Sequence, residues 1–175
     1  MRKLSENRDT LAFFGALCLF LATIEYLFPK PLPFFRIGLS NLPILLALGF
    51  MDFRELMILT MLKIIGQGIL NGTLASYVFV FSTAGSLASL LIMYGGYRVL
   101  GRHCSLVGLS LLGALGSNLV QVSLSIWFIF GSSAWVIAPL FLGLGTASGL
   151  LVGLFAENFA HKSRWLRKVK NAWKT

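Results

Sequence analysis

The chain has 175 residues, is 57% hydrophobic and only 12% charged, and carries a formal net charge of +9. No Lys, Arg, Asp or Glu stands between His103 and Glu157, and Lys63 is the only one between Glu55 and Arg98. A water-soluble domain needs a wet face on its helices and strands, so these stretches exclude one and imply a chain built for a lipid bilayer. The apolar runs are continuous rather than alternating with period two, which argues against a membrane barrel.

A membrane helix needs roughly 20 apolar residues, and the chain has room for six. The expectation is an all-α, polytopic membrane protein: one integral membrane domain over residues 1–175, folded as a six-transmembrane-helix bundle. A short charged head with Arg2, Lys3 and Arg8 precedes a first span over about 10–28. No small-x-small cleavage site follows it, so it reads as a membrane helix rather than a signal peptide. Pro29, Pro31 and Pro33 forbid a regular helix over 29–36 and make that segment an extended connector. A second span over about 37–50 is short and contains Pro43. A polar turn, Met51-Asp52-Phe53-Arg54-Glu55, leads to a third span over about 56–70, closed by the turn dipeptide Asn71-Gly72. Spans four, five and six lie at about 76–97, 106–130 and 134–157. The basic residues Lys162, Arg164, Arg167, Lys168, Lys170 and Lys174 then mark 158–175 as a cytoplasmic tail, with Trp165 and Trp173 suited to the membrane interface.

Charge tests this topology. With the N-terminus inside and six crossings, the inner segments hold Arg2, Lys3, Arg8, Arg54, Arg98, Arg102 and the six tail residues, twelve of the fifteen Lys and Arg. Lys30 and Arg36 fall outside. This positive-inside bias places both termini in the cytoplasm of a multi-pass protein of the cell membrane. Basic residues laid out along a membrane edge contact anionic lipid, and no nucleic-acid partner is expected.

The candidate chemistry lies in the few polar groups of the apolar segments. A charge at mid-bilayer costs roughly 2.5–3.5 kcal/mol on the insertion scale. Lys63 is therefore expected to face the bundle interior, pair with a partner or snorkel to an interface; if it is deep, Glu25 or an anionic ligand balances it. Asn41, Gln67, Asn71, Asn118 and Gln121 must bond across helices or line a wet cavity, because an unsatisfied amide in hydrocarbon is costly. Asn118 and Gln121 are three apart and share a helix face. Each alone is compatible with helix–helix bonding; together with the cations they point to a polar cavity in the outer half.

Small residues recur every four positions at Ala12 and Ala16, at Ala84 and Ala88, at Gly85 and Ser89, and at Gly145, Gly149 and Gly153. Such stripes let helices approach closely, most simply within the molecule itself. Cys18 and Cys104 lack ligand spacing and read as packing residues, and no metal or cofactor site is expected. There is no DDxxD pair, no phosphate-binding GxxxxGK[ST] loop and no nucleophile elbow, so the chain does not read as an enzyme.

The stretch PLPFFRIGLSNLPILLAL (31–48), together with LKIIGQGILNGTLASYVFVFSTAGSLASLLIM (62–93) and GALGSNLVQ (113–121), resembles the Gx transporter family, long described as heptaprenyl diphosphate synthase component I. Ser117 departs from the pattern, which has a His before the Asn. That family is similar to the S-components of energy-coupling factor (ECF) transporters, six-helix bundles that bind a vitamin-sized ligand near the outer face. The resemblance implies a small-molecule ligand and a transmembrane scaffold with ATPase subunits as partners, docked through Ala12 and Ala16. Relatives are associated with flavin trafficking and extracytosolic electron transfer. On this reading Arg36 and Lys63 neutralise an anionic group, and Asn41, Gln67, Asn71, Asn118 and Gln121 bond polar edges. Phe34, Phe35 and Trp127 stack on a flat ring, and a flavin nucleotide meets all three demands. The alternatives are a non-catalytic membrane subunit of a prenyl diphosphate synthase and a scaffold for a membrane redox complex.

Overall fold

The computed structural model of the protein describes residues 2–27, 38–101 and 104–174. Among the described residues every regular element is helical: α1 (Arg2–Leu27), α2 (Leu42–Ala47), α3 (Phe53–Leu70), α4 (Tyr77–Leu100), α5 (Leu106–Ser125), α6 (Ala134–Lys162) and α7 (Arg164–Lys174). A 3₁₀ turn over Leu39–Asn41 precedes α2, and a π turn over Ile126–Phe130 extends α5. The helices over Arg8–Leu27, Tyr77–Leu100, Leu106–Phe130 and Trp135–Lys162 are long and apolar enough to cross a membrane, the character of an integral membrane protein. Their outward faces carry large apolar side chains such as Phe20, Val99, Leu119 and Phe155, as lipid contact requires.

The expected span at 37–50 takes a different form. Its α-helix is only six residues long, with Pro43 in its first turn where a missing N–H costs nothing. Every residue from Leu42 to Leu48 is buried. The apolar run therefore reflects enclosure by protein. The entry of this segment is anchored by Glu25, which is 0% exposed. Its carboxylate accepts hydrogen bonds from Gly38 N (3.0 Å), Ser40 N (3.3 Å) and Ser40 Oγ (3.2 Å). Gly38 holds φ of 85°, a left-handed turn that turns its N–H onto the carboxylate. Glu25, considered above as a counter-charge for Lys63, is thus committed to the backbone of 38–40. Glu25→Ala should strip all three donors of their acceptor and cost about 3 kcal/mol, read as a lowered melting temperature in detergent, with Glu25→Gln losing less.

Contacts at the glycines set the directions of the helices. Gly15 faces Leu59 and Leu62, and Gly66 faces Leu19, so α1 and α3 run parallel. The segment 38–50 returns between them, from Glu25 to Phe50, whose ring meets Phe14 at 5.7 Å. Gly85 faces Gln121 while Gly96 faces Leu109, so α4 and α5 are antiparallel; Gly145 faces Asn118 while Gly153 faces Val107, so α5 and α6 are too. The stripe at Gly145, Gly149 and Gly153 is thereby spent inside the molecule, against α5.

The expected tail at 158–175 is also revised. Residues 158–162 complete α6, and α7 folds back on the bundle, its first turn capped by Ser163 Oγ, which accepts from Leu166 N at 3.1 Å. Leu166 is buried, and the Trp165 ring lies 5.1 Å from Phe13 and 6.1 Å from Phe14. Arg164, Arg167, Lys168 and Lys170 stay exposed. One end of the bundle therefore gathers the start of α1, the 50–53 turn, the end of α4 and α7, and with them Arg8, Arg54, Arg98 and the basic face of α7. At this end Asp52 and Glu55 form the capping pair of α3, with Asp52 N donating to Glu55 Oε2 at 2.9 Å.

Candidate functional site

A polar seam runs through the middle of the bundle. It is lined by Gly38, Ser40 and Asn41 from the 38–41 turn, Lys63 from α3, Ser86 and Ser89 from α4, Ser110, Ser117, Asn118 and Gln121 from α5, and Gly145, Ser148 and Gly149 from α6. Along α5 it extends from Ser110 to Gln121, roughly 16 Å of helix at about 1.5 Å per residue.

Lys63 lies on the inward face of α3, with only 2% of its surface exposed. Its Nζ donates to Asn41 Oδ1 and to Ser86 Oγ (3.4 Å). Asn41 is positioned by the 3₁₀ turn that Glu25 anchors, so α1 indirectly sets the acceptor for the cation. On α5, Gln121 Nε2 donates to Ser117 Oγ at 2.9 Å. Ser110 Oγ donates to Gly149 O at 2.7 Å, drawing α5 against α6. Two buried polar atoms, Ser89 Oγ and Asn118 Nδ2, have no hydrogen-bond partner among the described residues. A buried donor left unmet costs about 1–3 kcal/mol, so water or a guest in the seam would meet both.

Of the expected site residues, the fold brings Asn41, Lys63, Asn118 and Gln121 to one cavity. Gln67 is buried one turn beyond Lys63 but does not line the seam. Asn71 ends α3, its N–H donating to Gln67 O at 3.0 Å, and serves the turn closed by Gly72. Trp127, in the π turn, is 85% exposed and is not among the residues that line the seam. Phe34, Phe35 and Arg36 lie outside the described residues. Ala12 and Ala16 are both exposed on α1.

The serines were missed. Ser82, Ser86 and Ser89 are spaced by four and three on α4, and all three are buried. Ser110 and Ser117 stand seven apart on the Asn118–Gln121 side of α5. That helical spacing was the available signal; it was weak because serine is common in membrane helices for packing alone.

The seam encloses a cavity of about 40 Å³, room for roughly three water molecules. Small-molecule pockets run to about 300–1,000 Å³, so in this conformation the seam is too narrow for a flavin ring. What it presents is one ammonium ringed by hydroxyls and amides, shielded from water. That array suits an anionic or strongly polar guest. Among the described residues no three His, Cys, Asp or Glu side chains gather as metal ligands.

A family model described as heptaprenyl diphosphate synthase component I matches residues 14–159. The match takes in α1 from Phe14, the whole seam and nearly all of α6. Neither a curated protein nor a solved structure matches the chain.

Proposed function

The chain belongs to the heptaprenyl diphosphate synthase component I family, and from that premise we propose that it is a non-catalytic, membrane-embedded binding subunit of S-component type. It would serve a small-molecule transporter with an anionic substrate. The observation that carries this reading is the Lys63 seam. A buried cation and two unmet buried polar atoms converge from four helices and a turn, in the interior of an apolar bundle. Buried polar groups are met by protein or by ordered water, and a bound anion would meet these.

In this reading the seam is the closed state of the substrate site. Lys63 attracts the anion, and Asn118 and Ser89 complete its hydrogen bonds. A flavin nucleotide, the guess that the family resemblance suggests, requires the seam to widen roughly tenfold to reach the ordinary range of ligand pockets. The exposed small residues Ala12 and Ala16 leave a flat face on α1 for a transmembrane scaffold partnered with ATPases. Both termini are cytoplasmic, as the basic end of the bundle supports.

The second reading, a non-catalytic membrane subunit of a prenyl diphosphate synthase, is favoured by the family's own description. One experiment separates the two. The chain is purified from its native membrane, its small molecules and protein partners are identified by mass spectrometry, and thermal shifts are measured with flavin mononucleotide, inorganic pyrophosphate and a prenyl diphosphate. Co-purification with a membrane scaffold and ATPases, and stabilisation by a polar anion, is the expected result. A soluble prenyltransferase as sole partner would overturn it, and so would the absence of any stabilising anion.

A further inference from the structure

A second cavity, separate from the seam, opens at the basic end of the bundle. Its volume is about 350 Å³, within the range of small-molecule pockets. Leu48, Tyr97, Leu106 and Leu109 are among its walls, and among the described residues its charged lining is Arg167 and Lys170 of α7. The aliphatic part of its wall, from Leu48, Leu106 and Leu109, suits a hydrocarbon guest.

Its polar side is equally specific. Lys170, though exposed, reaches the pocket wall: its Nζ lies 3.4 Å from where a side chain on Gly49 would begin. Arg167 stands one turn earlier on the same helix. An exposed guanidinium and an ammonium beside an apolar hollow complement a guest with a phosphate head and a hydrocarbon body. The placement agrees. α7 rests against the end of the bundle with its apolar side inward and its basic side exposed, the disposition of an interfacial helix at headgroup level.

We propose that the cavity between α7 and the ends of α4, α5 and α6 is a binding site for an anionic phospholipid of the bilayer, with its phosphate held by Arg167 and Lys170 and its first chain carbons lying against Leu106 and Leu109. The site does not depend on the reading of the Lys63 seam. Leu109 and Ser110 are neighbours on α5 that face the two cavities separately.

Native mass spectrometry of the full chain in detergent tests this, with phosphatidylglycerol and phosphatidylcholine as probes. The expected result is retention of one phosphatidylglycerol per chain. Retention should fall about thirtyfold in the double variant Arg167→Ala/Lys170→Ala, which loses two surface cations near the headgroup plane. Both residues are exposed, so the variant keeps its fold. Ala160→Trp, which fills the pocket from α6, should lower retention with both cations in place. Lys63→Met should leave retention unchanged. Equal retention of the two lipids, or no loss in the double variant, overturns the site. Displacement of phosphatidylglycerol by inorganic phosphate alone overturns the role of the apolar walls. Tighter binding of a short prenyl diphosphate overturns the assignment to a bilayer lipid and gives the pocket to an isoprenoid.

Discussion

Lys63→Met is expected to leave the bundle folded while weakening capture of any anion that stabilises the wild type by about a hundredfold. The two halves of this result have different causes. Lys63 is a cation held almost wholly out of water, and its desolvation opposes what it gains from Asn41 and Ser86. Methionine has similar length and no charge to desolvate, so the melting temperature should change by the equivalent of about 1 kcal/mol or less, in either direction. The guest, in contrast, loses its only described buried cation. Removing one partner of a buried charged pair costs about 2–5 kcal/mol, and about 3 kcal/mol is the hundredfold stated. The pair of measurements is a thermal melt without ligand and a binding titration with the stabilising anion. Unchanged binding would show that the seam is structural.

Gly153→Val should act in the opposite way, destroying stability irrespective of ligand. A Cβ on Gly153 would sit 2.7 Å from Val107 Cα and 3.0 Å from Ser110 Cβ. The first of these is backbone, so no rotamer change relieves it; α5 and α6 must separate. Overpacking of this kind costs about 1–3 kcal/mol, and separation would also stretch the bond from Ser110 Oγ to Gly149 O. A loss of about 3 kcal/mol or more is expected, seen as a fall in melting temperature and in yield of folded protein. Gly143 supplies the control on the same helix. A Cβ there meets nothing within 4 Å, so Gly143→Ala should melt like the wild type. If both variants behave alike, the stripe does not hold α6 to α5.

The sequence and the structure agree best where one physical signal dominates. Long uncharged runs make α1, α4, α5 and α6 legible, because only lipid permits them. Lys63 was legible as a candidate for the same reason: a charge in such surroundings turns inward, pairs or snorkels, and the fold buries it. The segment 37–50 was read as a span because a run of Leu and Ile looks the same whether lipid or protein surrounds it; the shortness and Pro43 were the clues to the second case. α7 was hidden by its charge. Trp165, Leu166 and Val169 recur at helical spacing, but the six basic residues around them read first as a topology signal. Trp127 does not line the seam, and its sequence position could not say so, because aromatic residues near a span end serve ligands and lipid headgroups alike. The serines escaped notice because each is cheap in a membrane helix, and only their shared direction in space gives them meaning.

The enclosure of the 38–48 segment bears on how the protein is made. α2 touches α1, α3, α5 and α6, and the last two are translated well after it leaves the ribosome. Its six helical residues span about 9 Å, far short of the bilayer, so it has no stable resting place among lipids on its own. The packing around it is therefore complete only once α5 and α6 have been made, however the earlier piece is housed until then.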